Sequence, residues 1–309
     1  MTIKPAWQLA DLNRSALGRA QAWVSPSVLE QVKRQLNAPI VDPSAPLADN
    51  LETLIVVGGG SLIDRAKVAA KDRHPPLRLI AVPSLWGSGA EASPIVVLDC
   101  GGTKEIRVDP KYLPDERVIW PELAASITPR QARHACGDCW GHALEGFLSP
   151  LADAALREEL AALMRQMLDL PLVGDPRWFD MSARACNGQS RSSVGLMHGI
   201  AHTIEGPLRV ADPEGGWGHA AIIANVFLPV LDFDRRTSTR CDEVANEYDL
   251  DLAAIGAVGQ SLFAVEAYDR LRPVIVEHWK RILRDPCTRT NCALVRPNHV
   301  DHFLTWSRP

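Results

Sequence analysis

Residues 54–70 read LIVVGGGSLIDRAKVAA and combine an apolar strand, three consecutive glycines and a helix that opens near Leu62. Glycines allow the backbone to turn sharply and to approach a ligand closely. The start of a helix presents unpaired backbone N–H groups and the positive end of its dipole to a phosphate. A plain glycine-rich turn has the same composition, and the pattern is neither GxGxxG nor a GxxxxGK[ST] loop. The candidate pyrophosphate site is the turn of Gly58, Gly59, Gly60 and Ser61.

A second loop of small residues follows the next apolar strand. Residues 83–93 read PSLWGSGAEAS and come directly after LRLIAV. Ligands of open parallel sheets lie beyond the carboxyl ends of the strands, so two such loops on successive strands indicate a binding edge more strongly than one. The small residues of this loop are Ser84, Gly87, Ser88 and Gly89.

The pattern of apolar residues changes near residue 128. Before it, short apolar runs alternate with helical stretches, which is typical of parallel strands joined by crossover helices. After it, long segments such as ALREELAALMRQMLDL have helical periodicity. Thr128-Pro129 suits a helix N-cap followed by proline in the first turn. We therefore predict an α/β domain with a Rossmann-like parallel sheet over residues 1–127 and an all-α domain over residues 128–309.

Composition narrows the class of protein. The 309 residues are 46% hydrophobic and 23% charged, which is typical of a globular protein. A formal net charge of −4 gives no broad positive field for nucleic acid or an anionic membrane. The sequence has no apolar run of membrane-span or signal-peptide type, so we expect a cytoplasmic protein.

The seven cysteines are an odd number spread thinly over a long chain, so we expect free thiols. Cys136 and Cys139 form a CxxC pair, the spacing of a redox pair or of half a zinc site. No second pair with zinc-ribbon spacing follows, and Asp138 between the two cysteines suits a different metal site.

One aspartate and several histidines recur at helical spacing in the second half. Asp138 and His142 lie four residues apart in CGDCWGHALEG, so on a helix they share one face and can hold one metal. His198 and His202 repeat this spacing in GLMHGIAHTIEG, and His219 follows in GWGHAAIIANVFLP. One carboxylate with two or three imidazoles suits iron(II) or zinc(II) with a position open for substrate.

Four larger residues are candidates for substrate contact. Three of them are the tryptophans Trp86, Trp140 and Trp217, whose large rings inside these motifs would narrow a pocket towards a short substrate. Packing of these rings in the core is the alternative. The fourth is Arg191, which lies seven residues before His198, two turns along one helical face, so that its guanidinium would suit an anionic substrate group. A solvent-exposed arginine is the alternative.

Together these motifs resemble those of the iron-containing alcohol dehydrogenases, in the superfamily of glycerol dehydrogenase and dehydroquinate synthase. GGGSLIDRAK matches the family pattern GGGSxxDxAK, and PSLWGSGAEAS is similar to PTTxGTGSE. GDCWGHALEGFLS resembles GxDALxHAxEAYxS, and MHGIAHTIEG resembles HGxAHPLG. GWGHAAIIANVFLPVL is similar to PHGxANAxLLPxV, and DPCTRTN is similar to DxCTxxNP. The motifs occur in family order.

The resemblance implies a dinucleotide-binding α/β domain, a helical metal-binding domain, an active site in the cleft between them, and a homodimer. It makes His202 a catalytic or proton-relay residue. The metal ligands would be Asp138, His142, His198 and His219. The residues lining NADH or NADPH would be Gly58, Gly59, Gly60, Ser61 and Asp64, with Ser84, Leu85 and Lys104 on its ribose and nicotinamide side.

The activity implied is hydride transfer between NAD(P)H and a short aldehyde or alcohol, mainly as an aldehyde reductase. If Arg191 points inward, an anionic aldehyde such as phosphonoacetaldehyde becomes a candidate substrate. The region before GGGS is shorter than in the family by several tens of residues, which leaves open whether it still binds the adenosine half of the cofactor. Many members have an acidic residue after the first strand, where RAQAWVSPS has Ser25 and Pro26, so the choice of NADH or NADPH is open as well. The shorter region also leaves open a metal-binding homologue without dinucleotide binding. A maleylacetate reductase is a further alternative, which four intact ligand positions disfavour.

Overall fold

The computed structural model describes residues 3–100 and 103–307, which fall into two compact units. The first unit contains the chain up to Ala132 together with Val173–Asn187. The second contains Arg133–Leu172 and the chain from Gly188 onwards. Within the described ranges, no helix has both the length and the apolar character that crossing a lipid bilayer requires.

A parallel sheet forms the centre of the first unit. The strands of this unit are β1 (Trp7–Gln8), β2 (Ala20–Val24), β3 (Thr53–Gly58), β4 (Arg78–Pro83), β5 (Ile95–Cys100), β6 (Thr103–Val108) and β7 (Glu116–Ile119). The order in the parallel sheet is β1-β7-β4-β3-β2, while β5 and β6 form a separate hairpin. All six residues of β3 are buried, as expected for a strand covered on both faces.

Helices make up most of the second unit, and the first unit contains helices as well as its sheet. They are α1 (Leu9–Arg14), α2 (Leu29–Lys33), α3 (Gly60–Lys71), α4 (Pro129–Leu148), α5 (Ala154–Leu168), α6 (Trp178–Gln189), α7 (Leu196–Ala211), α8 (His219–Thr237), α9 (Arg240–Glu247), α10 (Leu252–Leu262), α11 (Val265–Ile282) and α12 (Val300–Thr305). In the first unit, α3 joins the buried core through Ile63, Ala66 and Ala70, which recur at helical spacing.

The parallel sheet and the helical second half confirm the predicted fold class. The predicted cap of α4 is present, because the Gln131 amide donates to Thr128 Oγ1 and the Thr128 amide donates to Gln131 Oε1. The apolar run PIVVLD, one of the short runs before residue 128 whose pattern predicts parallel strands, does form a strand, but it lies outside the parallel sheet because β5 pairs antiparallel with β6.

One helix from the predicted helical domain lies with the first unit. The Gly87 amide donates to Ser182 Oγ on α6 at 2.8 Å, and Arg117 pairs with Asp180 at the same distance. These contacts place Val173–Asn187 with the sheet. The first unit's main segment ends at Ala132, near the domain boundary predicted after residue 127. The two units are nevertheless not separated at a single position in the sequence, because Val173–Asn187 belongs to the first.

A buried carboxyl in the first unit makes stability depend on pH. Glu91 is 4% exposed, and burial raises the pKa of its carboxyl from 4.5 to about 7, against the opposing effect of Arg117 and Lys67. Because the pKa is raised on folding, the stability that neutral Glu91 contributes is complete below pH 4.5 and is lost as pH rises through 7.

Glu91→Gln is therefore expected to match the parent protein near pH 4.5 and to be more stable at pH 8. The gain is about 1–3 kcal/mol, since a buried amide still needs hydrogen-bond partners. Urea unfolding between pH 4.5 and 8 measures it, with exposed Glu122→Gln as the control. Parallel pH profiles for the Glu91 variant and the parent would contradict the assignment.

Candidate metal and dinucleotide sites

Two glycines on α4 let α8 approach closely. A Cβ on Gly137 would lie 2.7 Å from Ala224 Cβ, and one on Gly141 would lie 2.8 Å from Ile223 Cγ2. Side chains at either position would push the helices apart. The close packing brings Asp138 and His142, both buried on α4, next to the start of α8 at His219.

Three imidazoles surround one carboxylate oxygen in the second unit. Asp138 Oδ1 lies 4.0 Å from His142 Nδ1, 3.8 Å from His198 Nε2 and 3.7 Å from His219 Nε2. These separations are too long for hydrogen bonds. The structure therefore brings together all four residues that the sequence predicted as metal ligands.

The arrangement fits a metal ion. Asp138 Oδ1 and His198 Nε2 are buried and have no hydrogen-bond partner, so each has a lone pair that a metal ion could use. Ligand atoms bound at about 2.0–2.2 Å in a tetrahedral site lie roughly 3.4 Å apart, close to the distances here. Donor atoms of Asp138, His142 and His198 all lie within 4.8 Å of one another. One carboxylate and three imidazoles suit iron(II) or zinc(II).

Burial controls the charge of these donors. Desolvation raises the pKa of Asp138, against the opposing effect of His142 and His202. Desolvation also lowers the pKa of His198 well below its usual value of 6.5, and the neighbouring histidines add to this effect. Neutral His198 keeps the lone pair that a cation requires. A bound cation would in turn favour the ionised form of Asp138.

Glu145 holds His198 from the side away from Asp138. Glu145 Oε2 lies 2.6 Å from His198 Nδ1, and Oε1 accepts the Met197 amide at 2.6 Å. When Glu145 is ionised, this contact places the ring proton on Nδ1 and turns the Nε2 lone pair towards Asp138, as carboxylates behind metal-binding histidines do. Desolvation raises the pKa of Glu145 to about 8, and a cation bound nearby would favour its ionised form. Sequence reasoning missed Glu145, although it lies seven residues after Asp138 on the same helical face.

Glu205 is a second acidic residue that sequence reasoning missed. It is buried on α7, where the family motif HGxAHPLG has glycine, and it pairs with Arg209 at 2.5 Å. Its Oε2 lies 4.0 Å from His219 Nδ1, the nitrogen that faces away from Asp138. The two outer nitrogens of His198 and His219 thus each face a carboxylate.

Glu145→Gln is expected to weaken metal binding about 10–100-fold. A carboxamide cannot accept from both the His198 ring and the Met197 amide, so the ring loses its fixed orientation. Competition with a chromophoric chelator measures the affinity. Glu158→Gln, which changes an exposed glutamate on α5, is the matched control. Equal affinity in the two variants would rule out the orienting role.

His202 lies beside the four predicted ligands but faces another pair of residues. Its ring stacks on that of His219, with the centroids 5.2 Å apart. Its Nδ1 lies 3.7 Å from Asp285 Oδ2 and 3.8 Å from Cys287 Sγ. Both partners come from the DPCTRTN segment, to which sequence reasoning assigned no chemistry.

The glycine turn before α3 borders open space. The register of β3 and β4 sets Gly58 opposite Pro83, so both predicted loops leave the sheet at one edge. Gly59 caps α3 without a side-chain hydrogen bond, and a Cβ on it would meet nothing within 4 Å. A Cβ on Gly60 would collide with Ser88 Oγ, so Gly60 allows the two loops to pack. The turn fits a phosphate at a helix N-terminus.

The other predicted dinucleotide residues have protein partners. Asp64 accepts from Lys67 Nζ at 2.9 Å and from the Val97 amide at 3.0 Å, so it joins α3 to β5. Buried Ser84 donates its amide to the Gly58 carbonyl, and Leu85 beside it is half-buried. Lys104 Nζ lies 3.8 Å from Asp99 Oδ2 across the hairpin.

The structure gives the four predicted substrate residues little support. Trp86 is 2% exposed and packs edge-to-face on Phe179, while Trp140 is fully buried. Trp217 donates its Nε1 proton to Asp212. The helical argument for Arg191 was wrong, because α7 begins only at Leu196 and Arg191 pairs with Glu159.

The cysteines are free thiols, as predicted, for all six whose side chains the structure describes. Cys136 and Cys139 are both buried, and the Cys136 thiol donates to the Leu172 carbonyl at 3.4 Å. The CxxC pair is therefore neither a disulfide nor part of the donor cluster around Asp138.

Residues 21–121 match the family model described as iron-containing alcohol dehydrogenase. The chain is a relative of the iron-containing alcohol dehydrogenases. The matched segment includes both glycine loops of the first unit, whereas the four predicted metal ligands follow it in sequence.

Two curated proteins are similar to parts of this chain. The 1-propanol dehydrogenase of Salmonella typhimurium is 29% identical over 191 residues, 57% of this chain and 51% of that protein. The chain thus spans about half the length of this relative. The phosphonoacetaldehyde reductase of Streptomyces viridochromogenes is 29% identical over 119 residues, 29% of this chain and 30% of that protein.

A solved structure shows that the fold is shared. The iron-containing alcohol dehydrogenase of Thermococcus thioreducens superposes with a TM-score of 0.74 at 19% identity. The superposition covers 98% of this chain and 96% of the other.

Proposed function

We propose that this protein is a metal-dependent oxidoreductase that transfers hydride between NAD(P)H and a short aldehyde or alcohol, acting mainly as an aldehyde reductase. The observation that carries the proposal is the position of Asp138 Oδ1, 3.7–4.0 Å from nitrogens of three histidines. The relationship to alcohol dehydrogenases supports the same reaction class.

The proposed metal ligands are Asp138, His142, His198 and His219. When bound, iron(II) or zinc(II) polarises the carbonyl oxygen of an aldehyde, and reduced nicotinamide supplies the hydride. Glu145 keeps the His198 ring oriented through its Nδ1. Burial of Asp138 and His198 excludes bulk water from the donor atoms, which strengthens their electrostatic effect.

His202 is the proposed proton donor in aldehyde reduction. Reduction adds one hydride to the carbonyl carbon and one proton to the oxygen, and imidazole suits proton transfer near neutral pH. The stacked position of His202 on His219 places it beside the predicted ligands. Asp285, 3.7 Å from His202 Nδ1, would stabilise the protonated ring.

We assign the pyrophosphate of NAD(P)H to Gly58, Gly59, Gly60 and Ser61, supported by the open space beside Gly59. Ser84, Leu85 and Lys104 are proposed for the nicotinamide side. Asp64 is proposed to act indirectly, because both of its oxygens already accept hydrogen bonds from Lys67 and Val97. NADH and NADPH are both candidates.

Short neutral aldehydes are the first proposed substrates. Arg191 pairs with Glu159, so an anionic substrate would need another cationic partner. Phosphonoacetaldehyde is the informative anionic comparison, since a partial relative is named for its reduction.

The test is metal analysis of anaerobically purified protein combined with NADH and NADPH oxidation on propanal and phosphonoacetaldehyde. We expect roughly one iron or zinc per chain and turnover that a chelator abolishes and added metal restores. Metal without turnover, and without a rise in melting temperature on adding either dinucleotide, would favour a metal-binding protein instead. Saturation at 100 times Kd should add about 2.7 kcal/mol of stability. Absence of metal would overturn the proposal.

A further inference from the structure

A second group of metal-binding side chains lies next to the first in the second unit. It consists of His202, Asp285 and Cys287, whose donor atoms lie within 4.8 Å of one another. His202 comes from α7, whereas Asp285 and Cys287 come from the turn that follows α11. No residue of this group belongs to the proposed ligand set around Asp138.

The fold holds these three side chains in place. A Cβ on Gly199 would collide with Thr288 Oγ1, so glycine at this position lets α7 lie directly against the turn. Asp285 Oδ1 accepts the Cys287 amide at 2.8 Å, which fixes the carboxylate within its own turn. Its other oxygen, Oδ2, remains turned towards His202.

Neighbouring residues anchor the turn to the start of α7. Thr290 Oγ1 donates to the Val194 carbonyl at 2.7 Å, and Asn291 Oδ1 accepts the Leu196 amide at 2.9 Å. The relative positions of His202 and Cys287 therefore depend on several hydrogen bonds besides their own contact. A site built this way is preorganised.

The distances suit a shared cation. His202 Nδ1 lies 3.7 Å from Asp285 Oδ2, too far for a hydrogen bond, and 3.8 Å from Cys287 Sγ. In tetrahedral zinc sites, with Zn–S about 2.3 Å and Zn–N about 2.0 Å, the nitrogen and sulfur lie roughly 3.5 Å apart. Small side-chain rotations would close the difference. The His202 and Asp285 side chains are each 12% exposed, so neither is sealed from solvent.

We propose that His202, Asp285 and Cys287 form a second metal site, selective for zinc(II) and similar thiophilic divalent cations. A thiolate, an imidazole and a carboxylate favour zinc over magnesium or calcium, which prefer oxygen ligands alone. Three protein ligands leave a fourth position for water. Zinc replaces the proton of the Cys287 thiol, which is released to solvent.

Occupancy of the second site would inhibit the enzyme, a consequence that rests on the proposed function. His202 cannot deliver a proton while its Nδ1 binds zinc and Asp285 is engaged by the same ion. Excess zinc would then act as a reversible inhibitor of aldehyde reduction.

Cobalt(II) titration of the metal-loaded protein tests the second site without relying on activity. Of the two proposed sites, the second alone has a sulfur ligand, so its occupancy is expected to add a near-ultraviolet thiolate-to-cobalt charge-transfer band at about one additional equivalent. Cys287→Ser should lose the band. Cys292→Ser, which removes a half-buried thiol of the same C-terminal segment, should keep it. A parent protein without the band, or a Cys287 variant that retains it, would overturn the proposal.

Inhibition is measured separately by titrating zinc into the reductase assay. The inhibitory concentration should rise roughly tenfold or more in Cys287→Ser and stay unchanged in Cys292→Ser. A charge-transfer band in a protein that turns over no aldehyde would contradict the proposed function alone. Identical zinc inhibition in both variants would contradict the inhibitory role of the second site.

Discussion

Asp138→Ala is expected to abolish metal retention while leaving the metal-free fold intact. Asp138 Oδ1 is the atom that the three imidazoles share, at 3.7–4.0 Å from each. Without it, three neutral rings remain and no negative charge offsets the cation. The metal-free fold should tolerate the change, because burial raises the pKa of Asp138 and a carboxylate without a cation is costly there.

One experiment tests both the loss of metal and the retention of the metal-free fold. A chelator should lower the melting temperature of the parent protein, because a metal present at 100 times Kd contributes about 2.7 kcal/mol. It should leave that of Asp138→Ala unchanged. Metal analysis of both proteins supplies the second measurement, and exposed Asp269→Ala is the matched control. Full metal content in Asp138→Ala would refute the ligand assignment.

Helical spacing explains why the predicted ligands could be found from sequence. Residues four apart on a helix share a face, so Asp138 and His142 had to lie together once α4 formed. The same reasoning applied to His198 and His202 on α7. It could not show that the two side chains face different partners, since His198 faces Asp138 and His202 faces Asp285.

Contacts between distant segments could not be predicted in the same way. Glu145 and His198 are 53 residues apart, and only the packing of α4 on α7 brings them within 2.6 Å. The apolar run of β5 looked like another parallel strand, because pattern alone does not distinguish a hairpin from a parallel neighbour. The prediction that Arg191 shares a helical face with His198 was wrong, because that helix begins only at Leu196.

The motif GGGSLIDRAK shows how a matched pattern can combine two tasks. Gly59 borders open space suited to a ligand, whereas Asp64 and Lys67 form a pair inside the first unit. Lys67 is fully buried, and its ammonium donates to Asp64 Oδ1 at 2.9 Å and to the Ile95 carbonyl at 2.7 Å. The last residues of the motif therefore attach the β5–β6 hairpin to α3.

Lys67→Met is accordingly expected to destabilise the protein by about 3–5 kcal/mol. Methionine fills a similar volume but leaves Asp64 as a buried carboxylate without its cation, and it leaves the Ile95 carbonyl without a donor. The double variant Asp64→Asn/Lys67→Met should recover part of this loss, because it removes the unpaired charge. Urea unfolding measures both.

Two comparisons decide whether the pair is structural. Arg14→Met breaks an exposed Arg14–Asp11 pair and should cost less than about 1 kcal/mol. NADH affinity of the folded Lys67 variant should stay within a few-fold of the parent value, because Lys67 is fully buried and both oxygens of buried Asp64 already accept hydrogen bonds from the protein. A large loss of NADH affinity with unchanged stability would instead place Asp64 at the ligand. The expected result would assign the aspartate and lysine three residues apart in this motif to the stability of the first unit rather than to cofactor contact.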